Sequence, residues 1–214
     1  ALSNYTEVAY RGGRRLVWQL LPIVPAAVDV MQAAGEPIRR GGIYLITGGL
    51  GGVGAFLART LVREYGIKPV LIGTTALPPR AEWPRCLEQG GPRAERIRQY
   101  QEIEALTADC VYAAADVADL ERLRAIVADA EARWGDRIAG IFHLAVAGDV
   151  AAHWADMERF AIRNETVESL DGLMRAKVYG TWALYRIADA RPGCIVVPFG
   201  SVLGVFGAAY FSGY

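Results

Sequence analysis

A chain of 214 residues, 53% of them hydrophobic, is long enough for one full domain with a buried core and an additional segment. The 23 basic and 23 acidic residues cancel, which argues against a nucleic-acid partner and against a charged tail. Cys86, Cys110 and Cys194, like His143 and His153, lack metal-ligand spacing, so reduced thiols in a cytoplasmic protein and no metal site are expected.

Residues 1–15 contain no apolar run of the signal-peptide kind, and the chain opens on Ala1, not Met, as a piece of a longer protein would. Residues 9–17, with Gly12-Gly13 at their centre, are predicted to form a small hairpin. The apolar stretch 16–30 is broken by Gln19, Pro22, Pro25 and Asp29 and does not span a membrane. Residues 22–40 read as a linker or an edge element. From Gly41 onward, short apolar runs alternate with helical patterns. Strands are expected at Ile43–Thr47, 69–72, 110–114, Ile138–His143 and 194–198. Helices are expected at 53–65, 95–106 and Leu120–Trp134, with one long helix inside 167–189. Residues 76–91, with Pro78, Pro79, Pro84 and Gly90-Gly91, read as a long loop. Continuous apolar strands separated by amphipathic helices describe a parallel sheet covered on both faces, the doubly wound α/β (Rossmann) fold.

Between the first strand and first helix of that pattern lies Thr47-Gly48-Gly49-Leu50-Gly51-Gly52-Val53-Gly54. Phosphates bind bare backbone N–H groups at a helix N-terminus, and glycine permits both close approach and positive φ. Such a turn points to a dinucleotide; a tight turn without a ligand is the plainer reading. No Lys-Ser or Lys-Thr follows the last glycine, which excludes a Walker A loop. Asp116, after the third strand, can accept a hydrogen bond from an adenine amino group or cap the next helix, although Asp119 is the better cap.

Three further residues suit a carbonyl reductase. Ser201 follows the fifth strand, Tyr214 comes thirteen positions later, and Lys177 lies on the preceding long helix. A carbonyl receiving hydride needs a proton on its oxygen. Tyrosine, with a pKa near 10, gives it readily only if a neighbouring ammonium lowers that value. Taken singly, Lys177 reads as a surface lysine, Ser201 as a turn residue and Tyr214 as a core aromatic.

The glycine spacing is similar to that of short-chain dehydrogenases/reductases. The chain as a whole resembles the ketoreductase domain of a modular polyketide synthase. The resemblance rests on Tyr10-Arg11-Gly12-Gly13-Arg14-Arg15, the glycine turn, Leu77-Pro78-Pro79-Arg80-Ala81-Glu82-Trp83, Gly140-Ile141-Phe142-His143, Ala176-Lys177-Val178-Tyr179-Gly180-Thr181 and the Ser201 to Tyr214 segment. In that family the lysine sits on the helix before the serine, as Lys177 does. The resemblance implies catalysis by Lys177, Ser201 and Tyr214. It implies cofactor contacts at Thr47, Gly48, Gly49, Leu50, Gly51, Gly52, Val53, Gly54, Thr74, Asp116, Val117, His143 and Lys177, with NADPH as the cofactor. Residues 1–40 would be the end of a structural subdomain and its linker, and 41–214 a catalytic subdomain missing its C-terminal part.

The implied activity is reduction of a β-keto group to a β-hydroxy group on a polyketide thioester. That thioester would be carried by an acyl carrier protein within a multidomain synthase of the antibiotic-making kind, in the cytoplasm. The alternatives are an inactive, structural ketoreductase-like domain and a stand-alone short-chain reductase. The chain departs from the family pattern at several positions, Leu144-Ala145-Val146 in place of the common Ala-Ala-Gly among them. Thr74 stands where the family commonly has the arginine that meets the 2′-phosphate, leaving Arg80 as the candidate to reach in from the loop. Asp149 alone represents the Leu-Asp-Asp fingerprint of one stereochemical class, and Phe206 occupies the place of the opposite class's tryptophan.

Overall fold

The structure, a computed structural model, describes residues 8–17, 21, 37–146, 161 and 163–206. The chain divides into two compact units, Ala1–Pro37 and Ile38–Tyr214. In the first, β1 (Val8–Arg11) pairs antiparallel with β2 (Arg14–Val17), Tyr10 opposite Arg15. Gly12 and Gly13 have φ of +55° and +71°. Two successive positive φ values are what a two-residue turn needs to match the twist of its strands. Most of the stretch expected as a linker lies outside the described residues.

The second unit is built on one parallel sheet of β3 (Ile43–Thr47), β4 (Lys68–Gly73), β5 (Val111–Ala114), β6 (Ile138–His143) and β7 (Ile195–Pro198), in the order β5-β4-β3-β6-β7. The chain lays strands outward from β3 on one side, then returns to build the other side from β6. Sequence position therefore reverses between β3 and β6, whose last residues, Thr47 and His143, are direct partners. This reversal leaves a crevice at the C-terminal ends of the strands, the usual ligand position in doubly wound sheets.

Residues Ile43 to Ile46 of β3 are wholly buried and alternate between two cores. Ile43 and Leu45 join Ile126 and Val127 of α4 (Leu120–Trp134) and Leu184 of α6 (Thr181–Asp189). Tyr44 and Ile46 join Leu61 of α1 (Gly52–Tyr65) and Ile97 and Ile103 of α3 (Gly91–Glu104). A strand covered on both faces has no polar side, hence its unbroken apolar run. Asp119 caps α4, its carboxylate accepting from Arg122 N–H at 3.0 Å. Gly66 and Gly135 close α1 and α4 in the left-handed conformation. Arg191, after α6, forks onto Glu131 of α4 at 2.7 and 2.9 Å, tying that layer together. Cys86 and Cys110 are buried and Cys194 half-buried, all three as free thiols.

One expectation needs correction. Residues 76–91 are not a long loop. They hold a 3₁₀ turn (Arg80–Glu82) and α2 (Trp83–Gln89), and α3 begins at Gly91 instead of residue 95. Of the prolines that read as breakers, Pro84 sits in the first turn of α2, where a missing N–H costs nothing, while Pro78 and Pro79 lead into the 3₁₀ turn. Trp83 anchors the segment: it is buried, donates from Nε1 to Pro78 O at 2.8 Å and stands edge-on to Tyr100.

The long helix expected inside 167–189 is present and continuous, but it is not α throughout. α5 (Val167–Met174) passes into a π-helical segment, Arg175–Gly180, before α6 continues. A π turn is one residue wider than an α turn and shifts everything beyond it around the axis. Gly180 closes the segment against Val117, where a Cβ would fall 2.6 Å from Val117 Cγ2.

Candidate functional site

The glycine turn occupies the crevice end of β3. Gly48 leaves the strand at φ +67°, and its N–H donates to Ile72 O at 2.8 Å. A Cβ on Gly49 would lie 2.8 Å from Ile46 O, and one on Gly54 would lie 2.2 Å from Gly48 O. These glycines let the turn fold back on itself so that α1 starts hard against the strand. Gly52 is different: nothing lies within 4 Å of a Cβ built there. It begins α1 facing open space. The first bond closing α1 is Ala55 N–H to Gly51 O, at 2.8 Å. The amides of Gly52, Val53 and Gly54 thus have no acceptor inside the helix, the arrangement that receives an anion.

Beside the turn lies a cavity of about 810 Å³, within the range of cofactor sites. Of the expected cofactor residues, Gly48, Leu50, Gly51, Thr74, Asp116 and Val117 line it. Gly49 and Gly54 shape the turn from behind, while Gly52 and Val53 stand exposed at the start of α1.

Thr47 and His143 are not on the wall; both are buried beneath it. Thr47 Oγ1 accepts from the N–H groups of Leu144 and Ala145, each at 3.1 Å. Its single proton then goes to His143 Nδ1, 2.7 Å away. Nε2 must carry the ring's hydrogen, donated to Ala176 O at 3.0 Å. Burial lowers the His143 pKa against the raising effect of the Ala176 carbonyl, which keeps the ring neutral near pH 7. Both ring nitrogens are thereby used within the protein. The relay joins β3, β6 and the loop after β6 to the π segment at the residue before Lys177.

Asp116 is drawn two ways. Its Oδ1 accepts from Ala118 N–H at 2.9 Å, and its Oδ2 from Arg175 Nε at 2.6 Å. Burial raises its pKa, but the Ala118 amide and the Arg175 guanidinium outweigh that and hold it below the ordinary value. The carboxylate offered to an adenine is therefore partly engaged by a cation from the π segment.

Lys177 is half-buried, and desolvation lowers its pKa. Ser201 lies just past β7, its Oγ accepting from Leu203 N–H at 3.2 Å at the start of the short α7 (Leu203–Phe206). The end of β7 is tied to β6 by Phe199 N–H donating to His143 O at 2.9 Å. Lys177 and Ser201 thus belong to segments that His143 secures at the crevice end of the sheet. Tyr214 and Asp149 lie outside the described residues.

Among the wall residues not singled out as site residues from the sequence are Arg96, Tyr112 and Arg175. Arginines on an amphipathic helix carry no mark of which will face a cavity. Arg80 does not reach the crevice. It forks onto Glu104, lies over the Trp83 ring at 4.6 Å from its centroid, and lines a separate, smaller cavity.

The KR domain family model matches residues 42–214. The chain belongs to the KR domain family. KR domains of polyketide synthases are its relatives: it is 29% identical over 202 residues to the polyketide synthase ThaG of Burkholderia thailandensis, covering 94% of this chain and 3% of that protein. It is 28% identical over 204 residues to PksL of Bacillus subtilis, again 94% of this chain and 4% of the other. This KR domain therefore spans a few hundredths of the length of these curated relatives. Among solved structures, it superimposes on an A-type ketoreductase from a modular polyketide synthase with a TM-score of 0.68. The identity there is 28%, over 97% of this chain and 38% of the other. The chain also superimposes on a short chain dehydrogenase from Mycobacterium paratuberculosis with a TM-score of 0.62, at 23% identity over 82% of this chain and 61% of the other, so the two share the Rossmann-type fold. Among the described residues, no helix is long and apolar enough to cross a membrane.

Proposed function

We propose that this KR domain reduces the β-keto group of a polyketide thioester, carried on an acyl carrier protein, to a β-hydroxy group with NADPH. The observation that carries the proposal is the cradle at the switch point, where Gly49 and Gly54 compress the turn and Gly52 leaves room at the head of α1. The residues present fit a dinucleotide: unsatisfied amides for the pyrophosphate, and a cavity of about 810 Å³ running past Thr74 and Asp116. When bound, the nicotinamide supplies the hydride.

The chain's own residues then have three tasks. Ser201 holds the substrate carbonyl oxygen through its hydroxyl. Tyr214 gives its phenolic proton to that oxygen as charge develops there. Lys177 favours the phenolate so that the proton leaves near neutral pH, and it holds the ribose. His143 fixes the segment on which Lys177 rides. The partners in this reading are the acyl carrier protein and neighbouring synthase domains, and the setting is the cytoplasm.

The test is turnover of a diketide thioester, followed by nicotinamide absorbance. Tyr214→Phe should lose roughly 10²–10⁴-fold in rate while NADPH binding stays measurable. Full turnover by that variant sinks the assignment.

A further inference from the structure

In doubly wound folds the end of the second strand of the sheet reads the adenosine ribose. A carboxylate there takes a free 2′-hydroxyl, and a nearby arginine takes a 2′-phosphate. In this chain that strand is β4, which ends in Gly73, followed by Thr74 and Thr75, all on the cavity wall and all uncharged. The wall is continued by Pro92 and Arg96 from the first turns of α3.

Tyr112 links the two. Its hydroxyl donates to Thr75 O at 2.5 Å and lies 2.7 Å from where a Gly73 Cβ would stand. Burial raises the Tyr112 pKa, and the positive charge of Arg96 acts against it, so the guanidinium lies within electrostatic reach of this corner.

The other cations nearby are neutralised. Arg175 is paired with Asp116 at 2.6 Å and Arg80 with Glu104. Glu95, the neighbour of Arg96, faces Arg98 and Gln99 instead. Among the described residues of this wall, Arg96 is the cation that no carboxylate neutralises.

We propose that Arg96 recognises the phosphate on the adenosine 2′-position and so selects a 2′-phosphorylated nicotinamide dinucleotide over the unphosphorylated one. The charge that Thr74 lacks is supplied from α3, on the far side of the segment carrying Trp83. Thr74 and Thr75 add neutral hydrogen-bonding groups to the same phosphate. This inference rests on the reading of the crevice as a nicotinamide site.

The experiment is fluorescence titration of the full chain with NADPH and NADH, with calorimetry of adenosine 2′,5′-bisphosphate and adenosine 5′-monophosphate as probes that need no turnover. The unaltered chain should prefer the 2′-phosphorylated ligand of each pair. Arg96→Ala should lose roughly tenfold or more in affinity for it, and stay within about twofold for the other. Arg96→Lys should recover part of the loss, because charge returns without the guanidinium fork. Arg96 is partly exposed and the packing at this turn is made by Ala94 and Ile97, so both variants should melt with the unaltered chain. Equal losses for both ligands in Arg96→Ala, no loss for either, or a preference for NADH in the unaltered chain would each overturn the role of Arg96 and leave the nicotinamide site standing. Failure of the unaltered chain to bind any of the four ligands would overturn both.

Discussion

At the residue scale, the five glycines of the turn do different work, and the difference can be measured. Gly54→Ala would drive a methyl to 2.2 Å from Gly48 O, backbone that cannot move without unseating the end of β3. A cost of about 3 kcal/mol or more in unfolding free energy is expected, with loss of cofactor binding. Gly52→Ala meets no atom within 4 Å and should leave the denaturation midpoint in place. Its methyl nevertheless enters the space where a pyrophosphate would approach, so affinity for NADPH should fall with stability unchanged. A Gly52→Ala variant that binds as tightly as the unaltered chain would show that the ligand does not approach there. Glycine identity and spacing were legible in the sequence, but this division was not. It depends on which Cα faces backbone and which faces space.

At the scale of elements, the feature that matters most is the join between the sheet and the π segment. Thr47, His143 and Ala176 come from β3, β6 and the helix that carries Lys177, and one proton relay holds them. The sequence showed a histidine ending a strand and a lysine on a long helix; nothing in the spacing showed the π turn that connects them.

The relay has a pH signature. Folding lowers the His143 pKa below 6.5 because burial penalises the charged ring. Between 6.5 and the lowered value, the unfolded chain binds a proton that the folded chain refuses. Stability therefore rises with pH across that window and is lost as pH falls through it, completely so below the folded value. Glu131 is lowered chiefly by its Arg191 hydrogen bond, and Asp116 by Ala118 and Arg175 against the opposing effect of burial. Their contributions are present above the ordinary carboxylate values and disappear at more acid pH. The urea midpoint should thus decline from about pH 7 to about pH 5, and His143→Gln should flatten that part of the curve. An unchanged slope in His143→Gln would assign the effect elsewhere.

At the scale of the whole molecule, the strand order β5-β4-β3-β6-β7 is what makes a site. Residues 48, 74, 96, 116 and 175 meet on one wall because the order of the parallel strands reverses between β3 and β6. A ligand spanning that wall ties both halves of the sheet together and binds only the folded state. NADPH at about one hundred times its dissociation constant should add about 2.7 kcal/mol, a rise of roughly 5–10 °C in melting temperature for a chain of this size. The absence of a shift would mean that the crevice does not hold the dinucleotide.

The amino-acid sequence by itself determined the alternation of strands and helices, the parallel sheet, the hairpin at Gly12-Gly13 and the place of the glycine turn. Each follows from periodicity or from residues with restricted or unusual backbone freedom, which act locally. Tertiary structure decided which charges remain available. Arg175 is taken by Asp116 and Arg80 by Glu104, whereas Arg96 is left on the cavity wall. Ion pairing joins residues up to 59 positions apart in this set, and no local pattern records it.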